Sequence, residues 1–153
     1  MKEANLRKAI LVGTSLVKTE LTGANLINAD LSTADLTEST STGINLAEAY
    51  LTTAVLRKSD LSQANLSGSE LRQADLVGAN LGRANLSEAN LAESNLIGTN
   101  LSEADLTGTN LSGANLTQAR LNKAKYDSTK YNHRTIFPEG FNVKDHEGLE
   151  RVD

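Results

Sequence analysis

The sequence predicts a solenoid, a fold in which short repeats stack along one axis. Leucine recurs every five residues from Leu6 to Leu121 without an insertion or deletion, and it fills 23 of the 24 positions. Two residues before each of these positions the side chain is small, with 15 Ala, 4 Ser and 4 Thr. Directly before the leucine, Asn or Asp occupies 16 of the 24 positions. A five-residue unit therefore runs from Ala4 to Lys123.

Neither regular secondary structure accommodates this spacing. On an α-helix, residues five apart are separated by roughly 140° around the axis, so the leucines would not share a face. In a flat strand an odd spacing places successive leucines on opposite faces. The backbone must therefore turn once per repeat so that every leucine and every small residue points at one shared axis.

The run from Ala4 to Lys123 resembles the pentapeptide-repeat family, and the match covers all 24 repeats. The resemblance implies an all-β fold, the right-handed quadrilateral parallel β-helix, in which four repeats form one coil. Residues 4–123 would then build about six coils, and with neighbouring strands about 4.8 Å apart the stack would be roughly 29 Å tall. We expect a repeat domain at 4–123 and a C-terminal capping segment at 124–153.

Stacking the coils would align the leucines in four interior ladders. One ladder contains Leu6, Leu26, Leu46, Leu66, Leu86 and Leu106. At about 1.5–3 kcal/mol for each fully buried leucine, an upper bound, these ladders supply a core worth tens of kcal/mol. Such a core needs no aromatic residue, which fits a chain with five aromatics and no tryptophan. The absence of cysteine excludes disulfides and thiolate metal sites.

The Asn/Asp position favours turns, because short polar side chains bond nearby backbone groups. One column of such residues on a single side of the coils would comprise Asn5, Asn25, Asn45, Asn65, Asn85 and Asp105. We interpret this column first as a structural ladder and second as a binding surface. Glycine holds eight of the 24 final positions of the repeat, where we expect it to serve corners.

Ser41 is the one residue that breaks the leucine series. The change removes volume from the core, and three residues later Ile44 replaces the usual small residue. One hypothesis is that Ile44 partly fills the void at Ser41. The alternative is simple decay of the repeat with local softness, and an outward-pointing Ile44 would end the first hypothesis.

The segment 124–153 is predicted to cover the C-terminal end of the solenoid, because four of the five aromatics lie there: Tyr126, Tyr131, Phe137 and Phe141. Register weakens at Arg134, which falls where a small residue is expected. The segment 137–140 is typical of a β-turn with Pro138 second, and Asn142 is a candidate cap for a short helix or turn running through Leu149. The segment 135–142 resembles the end of many cyanobacterial and plant members of the family.

At the N-terminal end the first coil would expose apolar side chains and unpaired backbone groups. Outward positions of this coil carry Ile10, Val12 and Val17. We therefore expect a homodimer in which a second copy stacks head to head on this end. The alternative is that nearby cations keep the end monomeric: Lys2, Arg7, Lys8 and Lys18.

No catalytic constellation is evident, and we predict that the chain is not an enzyme and has no catalytic, cofactor-binding or metal-binding residues. The two histidines, His133 and His146, both lie in the tail without a nucleophile nearby, and are better explained as surface residues. Three glutamates of one coil, Glu88, Glu93 and Glu103, would diverge from three different sides instead of converging on a metal.

Charge is distributed in bands along the predicted axis. The net charge is +3 over 2–18, −5 over 20–55, +1 over 57–83, −4 over 84–119 and +4 over 120–134. Some relatives inhibit DNA gyrase by imitating duplex DNA, which carries one negative charge per about 1.7 Å and so about 17 over this length. Residues 1–123 carry 13 acidic and 10 basic side chains. The DNA-mimic function therefore fits poorly, and it is kept as the alternative.

The sequence is best explained as a non-enzymatic, rigid scaffold or protein-interaction module with an unidentified protein partner. The mild overall charge of −4 disfavours direct binding to nucleic acid or to a membrane surface. No apolar stretch resembles a signal peptide or a membrane span, and we expect a cytoplasmic protein.

Overall fold

The computed structural model describes residues 1–153, and residues 5–136 form a right-handed quadrilateral β-helix, which confirms the predicted fold class. Parallel bridges join residues 20 apart, as in Asn5–Asn25–Asn45, so four repeats make one coil. The bridged residues define four sides. Each side is named by its first bridged residue and includes that residue with its bridge partners in later coils. Side 1 begins at Asn5, side 2 at Ile10, side 3 at Ser15 and side 4 at Glu20.

Each repeat uses its backbone in the same way. The N–H of the residue at the small position donates to the preceding leucine carbonyl and closes a corner, as in Ala9 N to Leu6 O at 3.0 Å. Three further bonds per repeat join adjacent coils. On side 1 they include Leu6 N to Asn25 O at 2.7 Å and Asn25 N to Ala4 O at 2.9 Å.

The last residue of each repeat has a left-handed backbone. All eight glycines at this position have positive φ, for example 66° at Gly98, which confirms their predicted role in corners. The other repeats place larger residues in the same conformation, such as Lys58 at φ 54°. The corner geometry is therefore imposed by coil stacking even where the local preference of the residue opposes it.

The core is one continuous cluster of 35 buried residues that runs through the middle of the coils. It consists of the predicted leucine ladders and the alanines of the small position, most of them with no exposed surface. Threonine at the small position extends its hydroxyl to the coil below, as in Thr109 Oγ1 to Leu86 O at 2.7 Å. Serine at the same position can bond within its own repeat, as Ser59 Oγ does to Leu56 O at 2.8 Å, whereas the buried hydroxyl of Ser94 has no hydrogen-bond partner.

The irregular repeat points its side chains into this core. Ser41 and Ile44 are both fully buried, and a backbone bond of 3.1 Å from Ile44 N to Ser41 O joins them. The Ser41 hydroxyl lies 3.0 Å from that of Ser39. The inward orientation of Ile44 is the one that the void-filling hypothesis requires.

Coil geometry continues past Lys123. Lys125, Lys130 and Ile136 each extend a side by one more rung. On side 3 the offset is 21 residues, from Asn115 to Ile136, because one residue is inserted in the segment 131–135. The insertion moves Arg134 off the small position and places Thr135 there, where its hydroxyl donates to Leu111 O at 2.9 Å.

The chain then leaves the coil path and crosses the C-terminal end. The last coil contains strand β1 (Thr129–Tyr131). The segment that follows contains a 3₁₀ helix (Val143–Asp145) and strand β2 (Leu149–Arg151). β2 pairs in parallel with β1 and adds an eighth rung to side 2. No helix in the structure is long and apolar enough to cross a membrane.

Two local predictions for this crossing need correction. The β-turn closes at Phe141 N to Pro138 O, one residue later than predicted, because Gly140 supplies the left-handed third residue. Asn142 does cap a helix, accepting from Lys144 N at 3.2 Å, but that helix ends at Asp145. Leu149 instead lies in β2, where the parallel pairing with β1 places it beside Thr129.

Aromatic side chains pack the crossing against the last coil. Phe141 stacks between Phe137, at a centroid distance of 4.7 Å, and His146, at 4.2 Å. Tyr126 takes a central leucine position, meets Phe141 edge-on at 6.0 Å and donates from its hydroxyl to Leu121 O at 3.1 Å. Burial raises the pKa of Tyr126 to about 12.

We expect Tyr126 to make the protein sensitive to alkali. Its folded pKa of about 12 lies above the ordinary value of 10, so its contribution to stability is complete below pH 10 and is lost as pH rises through 12. Tyr126→Phe should flatten the fall in melting temperature over that range, while Tyr50→Phe, at an exposed tyrosine, should not. Thermal melts of both variants from pH 8 to 12 check this, and equal curves for wild type and Tyr126→Phe would contradict it.

Candidate binding surfaces

The outward faces of the four sides carry ordered columns of side chains. On side 1 the amide oxygen of each Asn accepts the backbone N–H two residues on, as in Ser67 N to Asn65 Oδ1 at 3.2 Å. Amides also bond between coils, with Asn65 Nδ2 to Asn45 Oδ1 at 3.2 Å. The prediction that this column is a structural ladder is confirmed.

Side 4 is lined mostly by short polar side chains. Asn80 Nδ2 donates to Asp60 Oδ1 at 3.0 Å and Asn100 Nδ2 donates to Asn80 Oδ1 at 2.8 Å. Gly82 leaves a shallow hollow of about 250 Å³ beside this ladder. Burial raises the pKa of Asp60, but hydrogen bonds from Ser62, Thr42 and Asn80 outweigh burial and hold it below its usual value.

Ion pairs join neighbouring coils and connect the charge bands. They are Lys18–Glu38 at 3.4 Å, Arg57–Asp75 at 2.6 Å, Arg72–Glu93 at 3.1 Å, Arg83–Glu103 at 3.1 Å and Lys125–Asp105 at 3.1 Å. Hydrogen bonds from Gln73 and Arg72 hold the pKa of Glu93 below its usual value. Five of the 13 carboxylates in residues 1–123 are therefore paired with a cation one coil away.

The residues considered for catalysis are not brought together. His133 is exposed, whereas His146 is half-buried in the aromatic stack on Phe141. Glu93 and Glu103 lie at different corners and each pairs with an arginine. Glu88 lies at a third corner, and no group of three His, Asp or Glu side chains converges in the structure.

The first coil ends in an open edge. The backbone N–H and C=O groups of Asn5, Ile10, Ser15 and Glu20 have no partner in the chain. Leu6 and Leu11 are only partly buried, and Ile10 is 83% exposed. This edge combines free strand-pairing groups with apolar surface.

The largest cavity, about 480 Å³, lies at the opposite end, between the last coil of side 4 and the crossing segment. The repeat pattern does not predict this cavity. The loss of register at Arg134 was the available signal, because it marks where the chain stops following the coil path.

The family model described as pentapeptide repeats matches residues 1–37, 44–83 and 84–122, well over half of the chain. The irregular stretch around Ser41 falls outside the match. No curated protein matches the chain.

Several solved structures are similar to the chain. HetL, a pentapeptide repeat protein involved in heterocyst differentiation regulation in the cyanobacterium Nostoc sp. strain PCC 7120, is 29% identical with a TM-score of 0.41, over 85% of this chain and 76% of HetL. Rfr23 of the cyanobacterium Cyanothece 51142 is also 29% identical, with a TM-score of 0.44, over 71% of this chain and 64% of Rfr23. QnrB1, a plasmid-mediated fluoroquinolone resistance protein, is 19% identical with a TM-score of 0.40, over 94% and 90% of the two chains.

Proposed function

Because the chain belongs to the pentapeptide-repeat family, we propose that it is a non-enzymatic, rigid scaffold that binds a protein partner through outward-facing side chains. The observation that carries the proposal is the arrangement of those side chains in columns on one continuous core. Two positions per repeat flank each buried leucine and point outward, and they recur on every coil. A partner thus meets a preformed surface.

Preformed geometry favours binding because little backbone or side-chain freedom is lost on association. On side 1 and side 4 the amide ladders already hold their side chains in place. A partner that matches this spacing gains hydrogen bonds without first ordering the surface. Binding to one side should leave the other three sides free.

The sharpest test places a photo-crosslinking residue on each side of a single coil, at Ala47, Thr52, Arg57 and Ser62. These positions occupy the same place in four consecutive repeats. We expect crosslinks to one defined protein, in a lysate of the source organism, from one side or from two adjacent sides. No crosslink from any position, or equal crosslinking to many proteins from all four, would contradict the proposal.

The DNA-mimic alternative is not favoured by the charge arrangement. Mimicry needs an extended negative surface, yet Asp75, Glu93 and Glu103 each pair with an arginine on a neighbouring coil. We expect no inhibition of gyrase supercoiling at micromolar protein. Inhibition that disappears when outward acidic residues are replaced by amides would instead favour the alternative.

The proposal includes a homodimer through the N-terminal edge. At Ile10 both free backbone groups point away from the second coil. In an antiparallel strand pair, two facing residues whose N–H and C=O both point at the partner exchange two hydrogen bonds. A two-fold axis across the edge would place Ile10 of a second copy in this antiparallel arrangement. Ile10 and Val12, 83% and 49% exposed, would be covered by the second copy.

Light scattering across a concentration series tests the dimer. Ile10→Lys should shift the mass towards the monomer, because it adds charge at the edge, while Tyr50→Lys, two coils away on the same side, should not. A monomeric wild type at high concentration would contradict the dimer and would support Lys2, Arg7, Lys8 and Lys18 as residues that keep this end free.

We further propose a cytoplasmic location without direct nucleic-acid or membrane binding. The alternation of charge bands, with ion pairs between coils, supports this because neither sign of charge extends along the whole solenoid. Cell fractionation is the direct test, and recovery with membranes or nucleic acid at physiological salt would contradict it.

A further inference from the structure

Side 4 ends one rung earlier than sides 1 and 3 and two rungs earlier than side 2. Side 1 continues to Lys125, side 3 to Ile136 and side 2 to Glu150, but the last paired residue of side 4 is Arg120. The chain passes from Ile136 into the crossing segment instead of adding the next rung. The cavity of about 480 Å³ occupies the place of that rung.

Three backbone groups that would hold the missing rung are free. Along side 4, Ala79 O accepts from Asn100 N, Leu81 N donates to Asn100 O and Arg83 N donates to Ser102 O, at 3.0, 2.8 and 2.9 Å. The equivalent groups two coils later are Ala119 O, Leu121 N and Lys123 N, and none of them has a partner in the structure. An extended segment placed there would complete all three bonds.

The cavity floor suits an apolar side chain. Leu121 is partly buried, unlike the leucines beneath it, and Phe141 and Pro138 line the opposite wall. Beneath Leu121 the central residues of side 4 are leucines on every rung except that of Ser41, and Leu61, Leu81 and Leu101 form an unbroken stack. A leucine or a residue of similar size in an incoming segment would continue that stack and cover Leu121.

Charge at the edge favours an acidic segment. Arg120 and Lys123 line the cavity and neither takes part in an ion pair, whereas Glu139 is the one carboxylate in the lining. Arg120 occupies the bridged position, where Lys125 pairs with Asp105 on side 1. Lys123 occupies the corner position, where Arg83 pairs with Glu103. A carboxylate above each cation would repeat these two pairs.

We propose that side 4 captures an extended acidic segment of a protein partner as its missing rung, in parallel register. The segment would read small residue, Asp or Glu, Leu or a similar apolar residue, any residue, then Asp or Glu. The first acidic residue lies over Arg120, the apolar one over Leu121 and the second acidic one over Lys123. The inference rests on the proposed interaction function and specifies one contact of that partner.

A suitable probe occurs in the chain itself. Residues 33–39 read Thr-Ala-Asp-Leu-Thr-Glu-Ser and contain the full pattern. As an acetylated, amidated peptide, its Asp N–H would donate to Ala119 O and its Asp carbonyl would accept from Leu121 N. The carbonyl of the second Thr would accept from Lys123 N.

Titration of this peptide into ¹⁵N-labelled full-length protein tests the proposal. We expect saturable shifts and slower hydrogen exchange at the Leu121 and Lys123 amides. Methylating the Asp nitrogen of the peptide should weaken binding by about fivefold or more, because it removes the donor to Ala119 O. The methylated peptide leaves the protein unchanged, so this comparison does not depend on the folding of a variant.

A charge reversal provides the second comparison. Lys123→Glu should weaken binding by about tenfold, while Lys58→Glu, at an exposed lysine with the same left-handed corner backbone, should change it less than about twofold. The proposal would be overturned if the methylated peptide bound with equal affinity, or if no shift appeared at about 5 mM peptide. It would also be overturned if the shifts were confined to the N-terminal edge, at Asn5, Ile10, Ser15 and Glu20. Side-specific crosslinks that persist in that case would leave the proposed scaffold function intact.

Discussion

Ile44→Ala is expected to destabilise the protein by about 2–4 kcal/mol, and adding Ser41→Leu is expected to recover most of that loss. Ile44 and Ser41 are both fully buried in consecutive repeats joined at one corner. Truncating Ile44 leaves a cavity beside a position that already lacks a leucine. The double variant restores the ordinary pattern of small residue and leucine in both repeats.

Ser41→Leu alone is expected to cost about 1–3 kcal/mol, because the new leucine competes with Ile44 for the same space. Ser39 loses its hydroxyl partner at Ser41 but can turn to Leu36 O, as Ser59 does to Leu56 O at 2.8 Å. The loss should therefore come from overpacking and not from an unpaired hydroxyl.

Denaturant unfolding of the four members of this cycle gives the coupling free energy directly. We expect a coupling that favours the double variant by about 2 kcal/mol or more. Additive effects would show that Ile44 and Ser41 do not share a space, and would leave repeat decay as the explanation of this stretch. Ile27→Ala, which removes an outward isoleucine, is the matched control and should cost much less.

Gly148→Ala is expected to detach strand β2 from the end of the helix. A Cβ at Gly148 would lie 2.8 Å from Asp127 Cα and 2.9 Å from Tyr126 O, and the φ of +89° adds strain for any other residue. Because these neighbours are backbone atoms, they cannot move without breaking the corner. We expect a loss of about 2–4 kcal/mol from the cap.

Gly140→Ala is the matched control for this variant. Gly140 has a φ of +77°, but a Cβ there would meet no atom within 4 Å. Hydrogen exchange should show faster exchange at Thr129 and Val152 in Gly148→Ala, since these amides donate to Gly148 O and Tyr131 O. Unchanged protection of both amides in Gly148→Ala would contradict a role of the close approach in holding β2.

The cap and the cavity are parts of one arrangement. β2 adds its rung to side 2, so the crossing segment must pass over the end of the solenoid to reach it. Phe141 packs on the core from this path, and the unfilled rung of side 4 lies beside it. The same departure from the coil path that packs Phe141 over the end thus leaves the strand edge of side 4 available.

Much of this molecule could be predicted from the five-residue period, because each repeat obeys the same local constraints. The leucine ladders and the backbone bonds of Asn65 follow from residue type and spacing alone. The path after Tyr131 could not be predicted in this way. There a single inserted residue places Thr135 on the small position and changes the offset on side 3 to 21 residues, after which the chain leaves the coil path.

The sequence by itself determined a backbone that turns once per repeat, its leucine core and the positions of its corners, because a strict five-residue period buries every leucine only if the chain turns at each repeat. The number of sides followed from the family resemblance and not from the spacing. Only the tertiary structure decided how the two ends are completed. Whether Ala119, Leu121 and Lys123 find partners depends on where a segment twenty residues later passes in space. Such contacts depend on the path of the whole chain and not on local residue preference. In this protein that path leaves these backbone groups of side 4 without partners.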